Sequence, residues 1–347
     1  MCPHGQAPHG QAPLEVRFFS TMAELCPLWP QGRYLCAFSG GSDSTALLLL
    51  LKKFVPPERL KAAHLDHALR DSSSLEADRA VKVAEEMGLR CQIGRVEVKQ
   101  LAQERKKGLE EAARAARYDF LLNELIKWPG DFILTAHQAE DQAETLVMKL
   151  ARGAGPGALV GIRPKSGQII RPLLAFGRQE LVRYLNDNNI AYTVDPSNLD
   201  ERFRRNLVRK KMLPILEQLN PAYLSAFGRA AGLALAEEEF WEQHLDLLLQ
   251  RLEFKSDRDF FAVKAKDLAD LTLAEQRRVL GRLLRLVKLN RAGGGEPVSL
   301  ASVEMMLDFF KAPGAGGLDL PGGRRVELRG QYVYVGPASR YATKCSA

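Results

Sequence analysis

From Tyr34 onward the chain alternates short apolar runs with longer stretches of helical periodicity. The runs Tyr34–Phe38, Ala62–Leu65, Cys91–Val96 and Phe132–Thr135 read as strands buried on both faces, as in a parallel sheet. Between them, Thr45–Phe54, Leu75–Met87, Glu110–Trp128 and Asp141–Arg152 read as helices. Ser73-x-x-Glu76 forms a capping box at the start of the second helix, and Gly88 suits its end. Strands alternating with helices predict right-handed βαβ units and an α/β fold with a doubly wound parallel sheet. Ligands of such sheets sit at the carboxyl ends of the strands.

A basic stretch, Arg202 to Lys211, precedes Leu213-Pro214 and marks the expected domain boundary. Beyond it Pro221–Leu252 and Leu273–Leu289 read as amphipathic helices, and Arg291–Pro297 is a glycine-rich break. Short alternating runs over Leu318–Val335, around Pro321-Gly322-Gly323, predict a small β element. The expected organisation is a tail over 1–13, a catalytic α/β domain over 14–214 and a mostly helical domain over 215–347. The tail holds a tandem pentapeptide, PHGQA-PHGQA, whose Pro and Gly content and lack of apolar residues predict disorder.

The loop Ser39-Gly40-Gly41-Ser42-Asp43-Ser44 follows the first strand and opens a helix. Two glycines allow a tight turn with N–H groups facing inward, a nest for anionic oxygens. The helix start adds its positive dipole end, and the hydroxyls of Ser39, Ser42 and Ser44 add donors. Asp43 fits an anion site only with a cation between it and the phosphates, and Mg²⁺ is the natural one. The spacing is neither that of a Walker A loop nor G-x-G-x-x-G.

Other polar clusters fall at strand ends or on helix faces. His64, Asp66, His67 and Arg70 follow the second strand. Arg114 and Arg117, beside Tyr118, share a helix face suited to clamping phosphate. Thr135-Ala136-His137 ends the fourth strand, with Asp141 and Glu144 on the first turn of the helix that follows. Two basic groups suit a polyanion: Arg204, Arg205, Arg209, Lys210 and Lys211 at the boundary, and Arg278, Arg282 and Arg285 on one helix face. Leu280, Leu283, Leu284 and Val287 form the opposite, core-facing side of that helix.

The net charge of +7 shifts the balance modestly toward a nucleic-acid partner. The five cysteines include no CxxC pair, which fits reduced thiols and argues against a zinc ribbon. No apolar run is long enough for a membrane span and no signal peptide is read, so a cytoplasmic location is expected.

The loop resembles the PP-loop of the N-type ATP pyrophosphatases, which cleave ATP between the α and β phosphates. The clusters together resemble the tRNA(Ile)-lysidine synthase family, with SGGxDS, HxDHxLR, ARxxRY, TAH-xx-DDQxET, RGxG and DPSN…RN…R segments. Here these are Ser39–Ser44, His64–Arg70, Ala113–Tyr118, Thr135–Thr145, Arg152–Gly155, and Asp195–Asn198 followed by Arg205-Asn206 and Arg209. The match runs in order from about Tyr34 to Pro214, with a weaker echo at Leu320–Gly323. Glu140 stands where the family usually has Asp, and the chain looks like a short form lacking a further C-terminal domain.

The resemblance implies ATP and Mg²⁺ as cofactors, and L-lysine and a tRNA(Ile) with a CAU anticodon as substrates. The wobble cytidine is adenylated at C2, and lysine then displaces AMP to give lysidine. It also implies roles by position. Ser39, Gly40, Gly41, Ser42, Asp43, Ser44, His64, Asp66, His67, Arg70 and His137 face the nucleotide. Asp43 and Asp141 hold the metal, Asp141 and Glu144 the lysine, and Arg114 and Arg117 complete the catalytic set. By their charge the two basic groups are candidate tRNA contacts, with a solvated helix face as the alternative for the second, and a homodimer stays open. A tRNA thiolase would need a set of cysteines that is not visible. A glutamine amidotransferase would need more than the residues that separate Cys2 from the loop. A non-catalytic nucleotide- or RNA-binding module would not need Asp43, Asp141 and Glu144 together.

Overall fold

The computed structural model describes residues 12–69, 73–106, 108–193, 204–257, 260–287, 298–311 and 316–338. The expectations for the pentapeptide tail, Arg70, Asp195–Asn198 and the break at 291–297 fall outside the described residues. The chain forms two compact units: the first runs to Gly153 and resumes over Ala158–Leu233, and the second comprises Ala154–Gly157 and the chain from Ala234.

The first unit begins with α1 (Leu14–Leu25), β1 (Tyr34–Ala37), α2 (Ser42–Phe54), β2 (Leu60–Asp66) and α3 (Ser73–Glu86). It continues with β3 (Cys91–Arg95), α4 (Val98–Glu104), α5 (Leu109–Lys127), β4 (Phe132–Leu134) and α6 (Ala139–Leu150). A hairpin of β5 (Lys165–Ser166) and β6 (Ile169–Ile170) leads to α7 (Arg178–Asp187). After α8 (Arg204–Leu207), the π-helical turn Val208–Met212 joins α9 (Leu213–Leu219).

The strand order is β3-β2-β1-β4-β6-β5, parallel throughout except for the β5–β6 hairpin. The expected doubly wound α/β fold is therefore present. All four long strands appear where the apolar runs put them. The run in α2 is apolar all round because the helix is itself core: Ala46, Leu47, Leu48, Leu50 and Leu51 are wholly buried. At Gly88, with φ of +74°, the N–H of Leu89 reaches the carbonyl of Ala84 and closes α3.

The division between the units falls inside α10 (Tyr223–Arg251), after Leu233, later than the Leu213-Pro214 break expected from sequence. The reason is packing: Val208, Leu213 and Tyr223 share a hydrophobic cluster with Ala143 and Val147 of α6. This ties the basic segment to the first unit.

The second unit holds β7 (Lys255–Asp257), β8 (Phe260–Lys264), α11 (Ala265–Ala269), α12 (Leu273–Leu286) and α13 (Leu300–Lys311). It closes with β9 (Gly317–Leu320), β10 (Arg324–Arg329) and β11 (Tyr332–Pro337). Its sheet is antiparallel in the order β7-β8-β11-β10-β9, so the expected β element is joined by two strands the sequence did not announce. Val279, Leu280, Leu283 and Leu284 of α12 are wholly buried, and Val287 nearly so.

Candidate active site

Strand β1 delivers the chain to a loop that glycine makes possible. Gly40 has φ of +78°, and a Cβ there would lie 3.0 Å from Thr193 Oγ1 and 3.3 Å from Ala80 Cβ. The Gly40 carbonyl accepts hydrogen bonds from the Thr193 N–H (2.8 Å) and Thr45 Oγ1 (3.3 Å). Ser44 Oγ accepts from the Ser39 N–H (3.2 Å) and donates to the Gly41 carbonyl (3.1 Å). Helix α2 starts at Gly41 without a side-chain cap, so its positive end is open to an anion.

Strand β1 has β2 on one side and β4 on the other, so the strand order reverses between β1 and β4. In open α/β sheets this crevice is where ligands bind. The Ser39–Ser44 loop leaves one lip and Thr135–Asp141 the other. Asp43, in the first turn of α2, accepts from Ser42 Oγ (3.1 Å) and faces Arg178 Nε at 3.8 Å. Burial pushes its carboxyl above the ordinary value, Arg178 works against that rise, and Asp141 adds to it.

At the tip of β4, Thr135 Oγ1 and His137 Nδ1 are 2.9 Å apart. Burial takes His137 down to about 3, with Asp141 opposing and Arg117, Arg171 and Arg114 reinforcing, so its imidazole is neutral at physiological pH. Gln138 caps α6: its Oε1 accepts the Glu140 N–H (2.7 Å), while Asp141 Oδ2 accepts the Gln138 N–H (3.0 Å). The other Asp141 oxygen faces Arg205 Nη2 at 3.0 Å and Arg209 Nη2 at 3.6 Å.

Glu144, one turn on, is wholly buried. Arg205 Nε donates to its Oε2 at 2.6 Å and Arg209 Nε to its Oε1 at 2.5 Å. Burial opposes the charge on both arginines, but Asp141 and Glu144 outweigh it and hold both above the ordinary guanidinium value. The π-helical turn begins between these two arginines, a feature often found at functional sites.

Glu140 reaches a different element. Both its oxygens accept the Arg178 N–H, at 3.0 and 3.1 Å, tying α6 to the start of α7. Burial raises its carboxyl; the Arg178 N–H works against this, and Asp43 and Asp141 add to the rise. Glu140, Arg178, Arg209, Leu213, Glu217 and Tyr223 line a cleft of about 160 Å³.

On α5, Arg114 and Arg117 lie over the Tyr118 ring, 5.0 and 5.6 Å from its centroid. Arg114 Nη2 and Arg171 Nη2 each donate to the Tyr118 hydroxyl at 3.4 Å. Burial opposes ionisation of that phenol, yet Arg171, Arg114 and Arg117 together hold it below its usual value. The Nε atoms of Arg117 and Arg171 and Nδ1 of His67 are buried without a hydrogen-bond partner. Arg117 and Arg171 thus each keep a buried, unpaired guanidinium donor beside Tyr118, groups suited to an oxyanion.

The structure thus brings Ser39–Ser44, His137, Asp141 and Glu144 to the carboxyl ends of neighbouring strands. His64 joins them, its Nδ1 2.9 Å from the Phe38 carbonyl, with burial lowering its pKa. Burial, then Arg117 and His64, likewise lower His67. Asp66 is turned to local work: it accepts the Ala68 N–H at 2.8 Å and pairs with Arg95 at 3.6 Å, shaping the tip of β2.

The second arginine group departs from expectation. Arg278 Nη1 meets Glu238 at 2.5 Å and its guanidinium lies over Trp241, while Arg282 meets Glu242 at 2.6 Å and Asp246 at 3.4 Å. Two of the three arginines are thus ion-paired to α10, and Arg285 remains exposed. Their spacing along α12 matches an acidic face of α10, a long-range pairing that the α12 sequence alone does not reveal. Arg171 and Arg178 lie outside the sequence motifs, and what marks them are partners distant in the chain, Tyr118 for one and Asp43 and Glu140 for the other.

A model of the PP-loop domain family matches residues 14–216. The tRNA(Ile)-lysidine synthase of Thermotoga maritima is 35% identical over 261 residues, covering 74% of this chain and 63% of its own length. That of Thermus thermophilus is 36% identical over 325 residues, covering 89% and 62%. The chain spans about three fifths of the length of these curated relatives. Its fold is similar to that of the U34-tRNA thiolase NcsA from Methanococcus maripaludis, solved with its 4Fe–4S cluster. The TM-score is 0.53 at 18% identity, over 64% of this chain and 77% of that one.

Proposed function

The chain belongs to the PP-loop family of ATP-binding domains, and from that premise we propose that it is a tRNA(Ile)-lysidine synthase. ATP adenylates the C2 oxygen of the wobble cytidine in a CAU-anticodon tRNA(Ile), releasing pyrophosphate. The ε-amine of L-lysine then attacks C2, the C2–O bond breaks, and AMP leaves with the oxygen. The observation that carries this reading is the meeting of the Ser39–Ser44 loop with the Asp141–Glu144 carboxylates across one strand-order reversal.

The roles follow from charge. The N–H groups of the loop and the start of α2 receive phosphate oxygens. Among the described residues no three His, Cys, Asp or Glu side chains are grouped to hold a metal by themselves. Asp43 and Asp141 fit the mode in which Mg²⁺ takes one or two carboxylates and completes its shell with phosphate and water. Burial, with Asp141 adding to it and Arg178 opposing it, raises Asp43, and a cation held between Asp43 and Asp141 would relieve that cost of ionisation. When bound, Mg²⁺ would neutralise charge developing on the phosphates.

Lysine arrives protonated and must lose a proton to attack. The Asp141–Glu144 pair already binds cations, namely Arg205 and Arg209, so its chemistry suits an ammonium group. A lysine ε-ammonium would take a place now filled by a guanidinium, and a carboxylate there can accept its proton. Arg114, Arg117 and Arg171 suit the phosphate of the adenylated base. Arg204, Lys210 and Lys211 lie on the same segment as Arg205 and Arg209 and suit tRNA phosphates.

A thiolase reading finds less support. Cys26 and Cys36 are buried, burial pushes the Cys36 thiol well up, and Cys91 is pushed up to about 12 by burial and then Glu85. Such thiols are poor nucleophiles and poor sulfur carriers. A cytoplasmic setting suits the tRNA substrate, and among the described residues no helix is long and apolar enough to cross a membrane.

The test is to follow AMP and pyrophosphate with purified protein, ATP, Mg²⁺ and tRNA. Release that requires a CAU-anticodon tRNA supports base adenylation. Release that is indifferent to the anticodon cytidine contradicts it.

A further inference from the structure

The nucleotide side of the site gathers three carboxylates from two elements. Asp43 comes from the loop after β1, and Glu140 and Asp141 from the start of α6. ATP is a polyanion, and cleavage at its α-phosphorus concentrates charge on the departing pyrophosphate. A departing anion beside three carboxylates needs a fixed cation besides the metal.

Arg205 and Arg209 are already engaged by Asp141 and Glu144. Arg178 stands differently. Its backbone is fixed, because both Glu140 oxygens hold its N–H at 3.0 and 3.1 Å. Its side chain is not: 37% exposed, it makes one ion pair among the described residues, with Asp43 at 3.8 Å. That distance gives charge attraction without a hydrogen bond. The guanidinium therefore sits beside the phosphate loop, in the cleft wall, with donors to offer.

We propose that Arg178 receives the β- and γ-phosphates of ATP and holds the pyrophosphate as it departs, a role that rests on the ATP-using reading above. On nucleotide binding the guanidinium moves from Asp43 to the phosphates, and Asp43 is released toward the metal. Glu140 serves as the anchor that keeps the Arg178 backbone in place during the exchange. Its extra methylene, compared with aspartate, supplies the reach from α6 to α7.

The test is direct binding of Mg²⁺-pyrophosphate and of AMP to the full chain, by calorimetry. Wild type, Arg178→Ala and Arg178→Lys are compared at matched melting temperature. Alanine should weaken pyrophosphate at least tenfold while leaving AMP unchanged, because the anchoring hydrogen bond uses the backbone and survives. Lysine should recover part of the loss. Wild-type protein that binds no pyrophosphate, or an alanine variant with wild-type pyrophosphate affinity, overturns the proposal. A tenfold loss in a protein that fails to modify tRNA keeps the Arg178 role and removes the lysidine reading instead.

Discussion

Arg205 Nε stands 2.6 Å from Glu144 Oε2, and the carboxylate it holds is wholly buried. The glutamate is thus both the anchor of the basic segment and the candidate seat of a lysine ammonium. Glu144→Gln keeps the shape but removes the charge that two guanidiniums share. Breaking a buried pair in this way costs about 3–5 kcal/mol, here toward the lower end because both arginines remain partly hydrated. Thermal melting should fall by several degrees, and lysine KM should rise about tenfold or more in the protein that remains folded. An unchanged melting curve would remove the anchoring role, and an unchanged lysine KM would remove the substrate role.

Asp43 should separate stability from activity. A buried carboxyl with a raised pKa binds its proton more tightly in the folded than in the unfolded chain. Ionised Asp43 therefore costs stability at neutral pH, and that cost is relieved as pH falls toward its folded pKa. Asp43→Asn should melt at or above the wild-type temperature while losing AMP formation by about 10²-fold or more. The acid limb of the wild-type rate profile should lie above the ordinary aspartate range. In Arg178→Ala it should move to higher pH still, because Arg178 is the main group lowering the Asp43 pKa. A limb that stays put would show that Asp43 does not titrate in the rate.

Gly40→Ala tests the loop. At φ of +78° a Cβ costs about 1–2 kcal/mol, and here it also presses on Thr193 and Ala80. Melting temperature should drop and ATP KM should rise. A variant with wild-type ATP KM would mean that the loop conformation does not matter to the nucleotide.

The two basic groups should part company. Arg278 and Arg282 are paired with Glu238 and Glu242, so an Arg278/Arg282/Arg285→Gln triple should lower stability and change the salt dependence of tRNA binding by at most about one unit. Lys210/Lys211→Gln should lower that slope by roughly one unit per charge removed. Equal loss from both variants would return α12 to the tRNA surface.

The elements that read most clearly were those whose signal is local. The apolar runs of β1, β2 and β4 are mostly buried, so they need no partner to be recognised, whereas β3 edges the sheet and leaves Gln92, Ile93 and Arg95 exposed. The strand–Gly-Gly–helix context likewise located the phosphate loop. Hidden elements carry their reason elsewhere in the chain. Strand β7 is polar and edges its sheet, where charge is expected rather than an apolar run. Arg178 matters because Glu140 and Asp43, distant in sequence, converge on it. The ion pairs of Arg278 and Arg282 leave no mark in the α12 sequence, because their acidic partners lie on another helix. Composition and periodicity report what a residue prefers, whereas ion pairing across elements decides what it touches.

Joining lysine to the wobble cytidine is what this site is expected to do. The most direct measurement supplies the full chain with ATP, Mg²⁺, radiolabelled lysine and tRNA(Ile), and counts label that precipitates with RNA. Label should require ATP, require the CAU anticodon, and disappear when the wobble cytidine is replaced by uridine. Incorporation that persists on the uridine variant, or none with a CAU-anticodon tRNA(Ile) and active ATP cleavage, would contradict it.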